Sequence, residues 1–189
     1  VTLTIAEGEL EVASVFLFTA LEPAAYTPPA DAGDNREILT IEAEYPSLVS
    51  DTTLMPVADR ASAQTTPSDA SHTRLNTIGG SGWTTPGQWV QWTFEVEKAG
   101  YYAISMRVRQ NLARGMQSRR ILIDGEVPCR ELEAFKFQYD RGWQVVTLGD
   151  EEQTYYFYLD EGEHTLTMEA LMADAVPVYT TLQDAIQSL

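Results

Sequence analysis

Glu42 and Glu44 flank Ala43 inside residues 38–45, a stretch in which apolar and polar residues alternate. In a strand, residues two apart share a face, so both carboxylates are expected to project together. Hard oxygen donors so placed suit calcium, given a third or fourth oxygen from elsewhere. The alternative is a solvated, mildly repulsive strand face. A different chemistry is offered by Trp83 after the run Gly79-Gly80-Ser81-Gly82, Trp143 after Gly142, the triplet Arg109-Gln110-Asn111, and Asn76 in a long polar stretch. Tryptophan supplies a flat apolar plane, while guanidinium and amide groups supply directed hydrogen bonds. Together they suit a ligand ring that carries hydroxyls. Core packing is the competing reading for each tryptophan, because aromatic rings bury large apolar areas. For Trp92, which shares a stripe with Phe94, core packing is the expectation.

Catalytic signatures are missing from the sequence. It has no Gly-x-Ser-x-Gly elbow, phosphate loop, HExxH motif or dinucleotide fingerprint, and the glycine run lacks the lysine and helix that would cradle phosphate. Acid pairs such as Asp160-Glu161 and Glu151-Glu152 fall in turn-like contexts, whereas a glycosidase needs two carboxylates facing across a cleft. The expectation is a protein that is not an enzyme. Asp and Glu number 28 against 12 Lys and Arg, a net charge of -16. That charge repels nucleic acid and anionic membrane surfaces and leaves neutral sugars or cations as better partners. A single cysteine, Cys129, cannot form an intramolecular disulfide, and with His72 and His164 it leaves little for zinc or iron. No apolar run reaches the roughly 18 residues that span a bilayer, and no signal-peptide pattern is visible. Val1 falls inside a strand-like pattern, so the chain is expected to be a piece of a longer protein.

The elements that would position these residues read as strands. In GQWVQWTFEVEKAGYYAISMRVR, Val90, Trp92, Phe94 and Val96 alternate with Trp89, Gln91, Thr93 and Glu95. After Lys98-Ala99-Gly100 the apolar stripe resumes at Tyr102, Ile104, Met106 and Val108. Period-two alternation on both sides of a glycine-containing turn indicates antiparallel strands with one face on a core. RRILIDGEVP, GWQVVTLGD and TYYFYLDEGEHTLTMEA repeat the style, giving an all-β sandwich. Trp89 lies opposite the core stripe, where the apolar residues Val15, Phe16, Leu17 and Phe18 are expected to cover it. Residues 1–28 read as an N-terminal β-hairpin and the start of a proline-rich linker, 29–37 as the rest of that linker, and 38–174 as the sandwich. Residues 175–189 read as the start of a helical segment, with Thr181 and Asp184 resembling a capping box.

Ile41-Glu42-Ala43-Glu44, GQWVQWTFEV, AGYYAISMRVR, ILIDG, Gly142-Trp143-Gln144 and EGEHTLTME follow one another in an order that resembles carbohydrate-binding modules of families six and thirty-five. These belong to the galactose-binding-like superfamily, and the likeness covers residues 38–174. It implies a jelly-roll β-sandwich that binds a carbohydrate ligand without catalysis, outside the cell. It also implies a structural calcium held by Glu42 and Glu44, with Asp174 as the nearest match for a closing oxygen, although MADAV departs from the family pattern. At Trp143 it implies a stacking tryptophan at one end of the sandwich. LNTIGG, RQN, SRRILIDGEVP and VPVYTTLQDAI are similar to domains of large bacterial surface proteins associated with ABC transporters of the extracellular solute-binding type. That likeness implies neighbouring domains of a larger parent chain as partners. The rival is a structural or interaction domain of the same fold without sugar binding. Solvent-facing Trp143 and Trp83 with polar neighbours would favour sugar, and two buried rings would favour the scaffold.

Overall fold

The computed structural model describes residues 22–33, 37–111 and 117–171. Eleven strands are formed by these residues. They are β1 (Leu48–Val49), β2 (Pro56–Val57), β3 (Thr77–Ile78), β4 (Trp89–Val96), β5 (Gly100–Ala103), β6 (Ser105–Val108), β7 (Gln117–Ile123), β8 (Phe135–Phe137), β9 (Gln144–Thr147), β10 (Tyr156–Leu159) and β11 (Gly162–Ala170). One layer is an antiparallel sheet ordered β1-β4-β11-β7-β8. The other layer is built on β5 and β6, separated only by Ile104. β10 pairs with the first and β9 with the second. Residues 148–155 loop out between β9 and β10, and Leu148 N–H donates to Ile104 O at 2.9 Å. β2 and β3 form a separate small ladder.

The two layers enclose one apolar cluster. Val90, Trp92 and Val96 from β4 meet Leu166 and Met168 from β11, Ile121 from β7, and Phe157 and Leu159 from β10. In β10 this is strict alternation, with Phe157 and Leu159 buried between exposed Tyr156 and Tyr158. The fold is the all-β sandwich expected from the alternating stretches. Among the described residues no helix is long and apolar enough to cross a membrane.

Three expectations are corrected in detail. β4 and β5 do not pair as a hairpin, because Lys98-Ala99-Gly100 carries the chain from one layer to the other. Alternation reports which face is buried, and it is silent on which strand lies alongside. Residues 38–45 form no strand: Tyr45 N–H donates to Glu42 O at 3.1 Å, a turn centred on Ala43 and Glu44. Side chains around a turn do not alternate, so Glu42 and Tyr45 are exposed while Glu44 is buried. The proline-rich stretch read as a linker is anchored to the sandwich. Arg130 N–H donates to Ala24 O at 2.8 Å, and the Tyr26 ring stacks on Tyr155 at 4.2 Å. The N-terminal hairpin, its cover over Trp89, Asp174 and the C-terminal helix lie outside the described residues.

Candidate functional site

Val108 pairs with Gln144, so Arg109 and Trp143 leave the paired strands together at one end of the sandwich. There the loop between β2 and β3 folds against them. Asp59 links the pieces: its Oδ1 accepts from Trp143 Nε1 at 3.0 Å, and its Oδ2 accepts from Arg109. The Arg109 guanidinium carbon lies 5.0 Å from the Trp143 ring centre and that of Arg107 lies 5.8 Å away, within cation–π range. Arg107 also donates to Ser62 Oγ at 3.0 Å. Burial pushes the Asp59 carboxyl up, but hydrogen bonds from Trp143, Ala61 N–H and Arg109, with the charge of Arg109, hold it below the usual carboxylate range. It is therefore an anion at neutral pH, matched by Arg109.

Asn76 is buried and organises the same loop. Its Oδ1 accepts from Asp59 N–H at 2.8 Å, while Nδ2 donates to Asp59 O at 2.9 Å and Pro67 O at 3.1 Å. Its amide thus clamps the Asp59 backbone on both its N–H and its carbonyl side. A cavity of about 260 Å³ adjoins this group, lined by Asp59, Arg60, Asp69, His72, Arg74 and Asn76 among others. Gln110 is half-buried and Asn111 exposed at the start of the neighbouring loop. Trp143 is thus half-buried among polar and charged groups, an environment unlike that of Trp92 in the core.

Trp83 is placed differently. It is half-buried and packs against the apolar cluster, its Nε1 donating to Gln88 O at 3.1 Å. Gly79, at φ 103, lies under its ring: a Cβ there would fall 3.0 Å from Trp83 Cε3. Arg119 covers it with its guanidinium carbon 4.9 Å from the ring centre. Trp83 closes the sandwich from its edge and makes no hydrogen bond to the Trp143 group among the described residues.

No protein-family model and no curated protein matches this chain. Solved structures do resemble it at low identity. A family 35 carbohydrate binding module from Clostridium thermocellum aligns at 16% identity with a TM-score of 0.38, over 46% of this chain and 60% of that one. A cycloisomaltooligosaccharide glucanotransferase from Paenibacillus sp. aligns at 18% identity and a TM-score of 0.48, over 79% of this chain and 18% of that one. The Podospora anserina GH26-CBM35 β-(1,4)-mannanase aligns at 13% identity and 0.46, over 70% and 24%. The chain therefore spans less than two thirds of the length of each of these three.

The acid pair sits elsewhere, against β4. Trp92 Nε1 donates to Ala43 O at 2.9 Å and pins the turn, so that Glu44 is only 2% exposed. Glu44 Oε1 has no hydrogen-bond partner among the described residues. Burial pushes its carboxyl up. A backbone hydrogen bond opposes this, and the nearby charge of Glu42 adds to it. A buried, orphaned carboxylate oxygen with a second carboxylate close by fits a hard cation. Among the described residues no group of three His, Cys, Asp or Glu converges there, and Asp174 lies outside them.

Asp59 and Arg107 are the site residues that the sequence reading missed. Asp59 lies 84 positions from Trp143, in a stretch with no periodicity, and nothing local marks it. Arg107 lies two residues before Arg109 on an alternating strand, so its shared face was readable.

Proposed function

We propose that this chain is a non-catalytic carbohydrate-binding module of a larger extracellular protein, with its sugar site at the end of the sandwich around Trp143. The observation that carries the reading is the setting of that indole: half-buried, held through Nε1 by Asp59, with Arg107 and Arg109 beside its ring, while Asp59 also lines a cavity in the loop between β2 and β3. An aromatic plane backed by planar donors is what a sugar ring needs for its apolar face and its hydroxyls. The order of motifs along the sequence supports the same reading. Affinity then comes from one stack and a few hydrogen bonds, roughly micromolar to millimolar. Gln110, Asn111 and Asn76 contribute by shaping this end of the molecule rather than by stacking, while Trp83 packs against the core under Arg119.

A calcium ion held by Glu44 and Glu42 belongs to this proposal as a structural cofactor. It would give Glu44 Oε1 a partner and would keep the buried carboxyl ionised. The partners would be neighbouring domains of the parent chain, and the reading involves neither nucleic acid nor membrane insertion.

A glycan array on the purified chain tests it, run with calcium and with chelator, beside Trp143→Ala. Specific signals lost at least tenfold in a folded Trp143→Ala support the sugar site. A blank array from folded protein, or undiminished binding by the variant, rejects it and leaves the scaffold reading.

A further inference from the structure

A second cavity lies away from the Trp143 end, along β10. It measures about 320 Å³, and its walls include Tyr26, Tyr156 and Tyr158, with Thr27, Glu126 and Pro128 also facing it. Ala103, paired with Tyr156, is five residues from Val108, which places the cavity roughly 15 Å along the strand from Arg109 and Trp143.

This groove has fixed walls. Tyr26 N–H donates to Glu131 at 2.9 Å, its hydroxyl accepts from Tyr156 N–H at 2.9 Å, and its ring stacks on Tyr155. Three attachments on one side chain and its backbone leave Tyr26 little freedom to swing away. Tyr158 is braced edge-on by Tyr101 at 5.3 Å. Yet Tyr156 is 39% and Tyr158 is 56% exposed, so both rings stay open to a ligand.

The chemistry of the lining selects a charge. Among the described residues no Lys or Arg faces this cavity. Glu126 is exposed and makes no ion pair with a described residue. Tyrosine faces carry negative quadrupolar potential and attract cations. With the Glu126 carboxylate, and on a chain of net charge -16, they favour a cationic ligand and disfavour an anionic one. The volume is at the lower end of the range for ligand sites, about 300 Å³ upward, and suits a unit of about one ring. Open tyrosine faces match the apolar face of a pyranose, and Glu126 matches an ammonium.

We propose that the β10 groove is a second binding site, selective for the protonated amine of an amino-sugar unit. It differs from the Trp143 end in ligand charge, since arginines crowd that end and no described arginine lines this one. The two sites stand or fall separately.

The test is calorimetric titration with a β-1,4-linked glucosamine tetramer, and with its fully N-acetylated counterpart, at about pH 6, where the amine is charged. Salt is held at about 150 mM to screen long-range attraction. The expected result is saturable, roughly millimolar binding of the amine form. N-acetylation should weaken it at least tenfold, and so should Glu126→Gln or Tyr156→Ala, while Trp143→Ala should leave it unchanged. Glu126→Gln alters only one of the sixteen net charges, so diffuse attraction to an acidic chain would survive it. Equal binding of both tetramers, indifference to Glu126→Gln in a variant that melts like the parent, or loss in Trp143→Ala would overturn the proposal. So would a site that takes choline chloride and ignores the glucosamine tetramer.

Discussion

Two tryptophans of similar sequence context have different jobs, and their partners separate them. Trp83 lies on Gly79, under Arg119 and against the core. Trp83→Ala should therefore cost roughly 3 kcal/mol in a denaturant titration, as truncations of packed aromatic side chains do. Trp143 is held by Asp59, and its removal should lower sugar binding far more than stability. Asp59→Ala should do both, leaving Trp143 Nε1 and Arg109 unpaired at a cost of about 1–3 kcal/mol. His164 offers a residue-scale pH test. Its Nδ1 meets Asp124 Oδ2 at 2.7 Å and its Nε2 meets Asp160 O at 3.0 Å, tying the β7 turn to the β10–β11 turn. The hydrogen bond to Asp124 raises its pKa above the ordinary 6.5, with burial opposing and the Asp160 carbonyl helping. A raised folded-state pKa gives stability that is complete below about 6.5 and is lost as pH rises through the folded value. The melting temperature of the parent should fall between pH 6 and pH 8, and His164→Gln should flatten that slope. An identical slope in both proteins would dismiss the latch.

At the scale of elements, burial was legible in the sequence and partnership was not. Val90, Trp92 and Val96 are buried on one face of β4, as their spacing requires, and Phe157 and Leu159 follow the same rule in β10. Which strands become neighbours depends on turns and crossovers that alternation does not encode, which is why β4 pairs with β1 and β11 rather than β5. The apparent strand at residues 38–45 failed for a related reason. Its alternation is real, but Pro46 follows it and the backbone turns at Ala43 and Glu44. Of the candidate site, Trp143 and Arg109 were readable as a loop aromatic and a strand-end cation. Their link through Asp59 was not, because it joins distant segments across an irregular loop. The excursion between β9 and β10 carries its own test. A Cβ on Gly149 would fall 2.5 Å from Gln153 O and 3.1 Å from Thr154 Cα, both backbone atoms. Gly149→Ala should force the excursion open and destabilise the fold by roughly 1–3 kcal/mol, seen as a lower denaturant midpoint with an unchanged slope. An unaltered midpoint would mean that the loop adjusts freely and plays no part in holding Leu148 and Tyr155 in the core.

For the molecule as a whole, charge is the governing quantity. A net of -16 on a chain of 189 residues works against compaction, and cations relieve it. Glu44 concentrates the problem, since its carboxylate is buried with one oxygen unpartnered and Glu42 nearby. Its folded-state pKa is raised above the ordinary 4.5, first by burial and further by Glu42, against a lowering backbone hydrogen bond. For an acid shifted upward the sign is the reverse of the usual one: stability falls as pH rises from the unfolded value through the folded value. In chelator, then, Glu44→Gln should melt no lower than the parent at neutral pH, and higher if the buried charge is costly. Calcium should invert that order. It stabilises the form it binds, by about 2.7 kcal/mol when present at a hundred times its Kd. The parent should gain several degrees in calcium while Glu44→Gln gains almost none. Magnesium should do less, because it demands stricter octahedral geometry and gives up water reluctantly. Equal gains for parent and variant would trace the effect to general screening of the sixteen charges, and the turn at Ala43-Glu44 would then be a packing feature pinned by Trp92 alone.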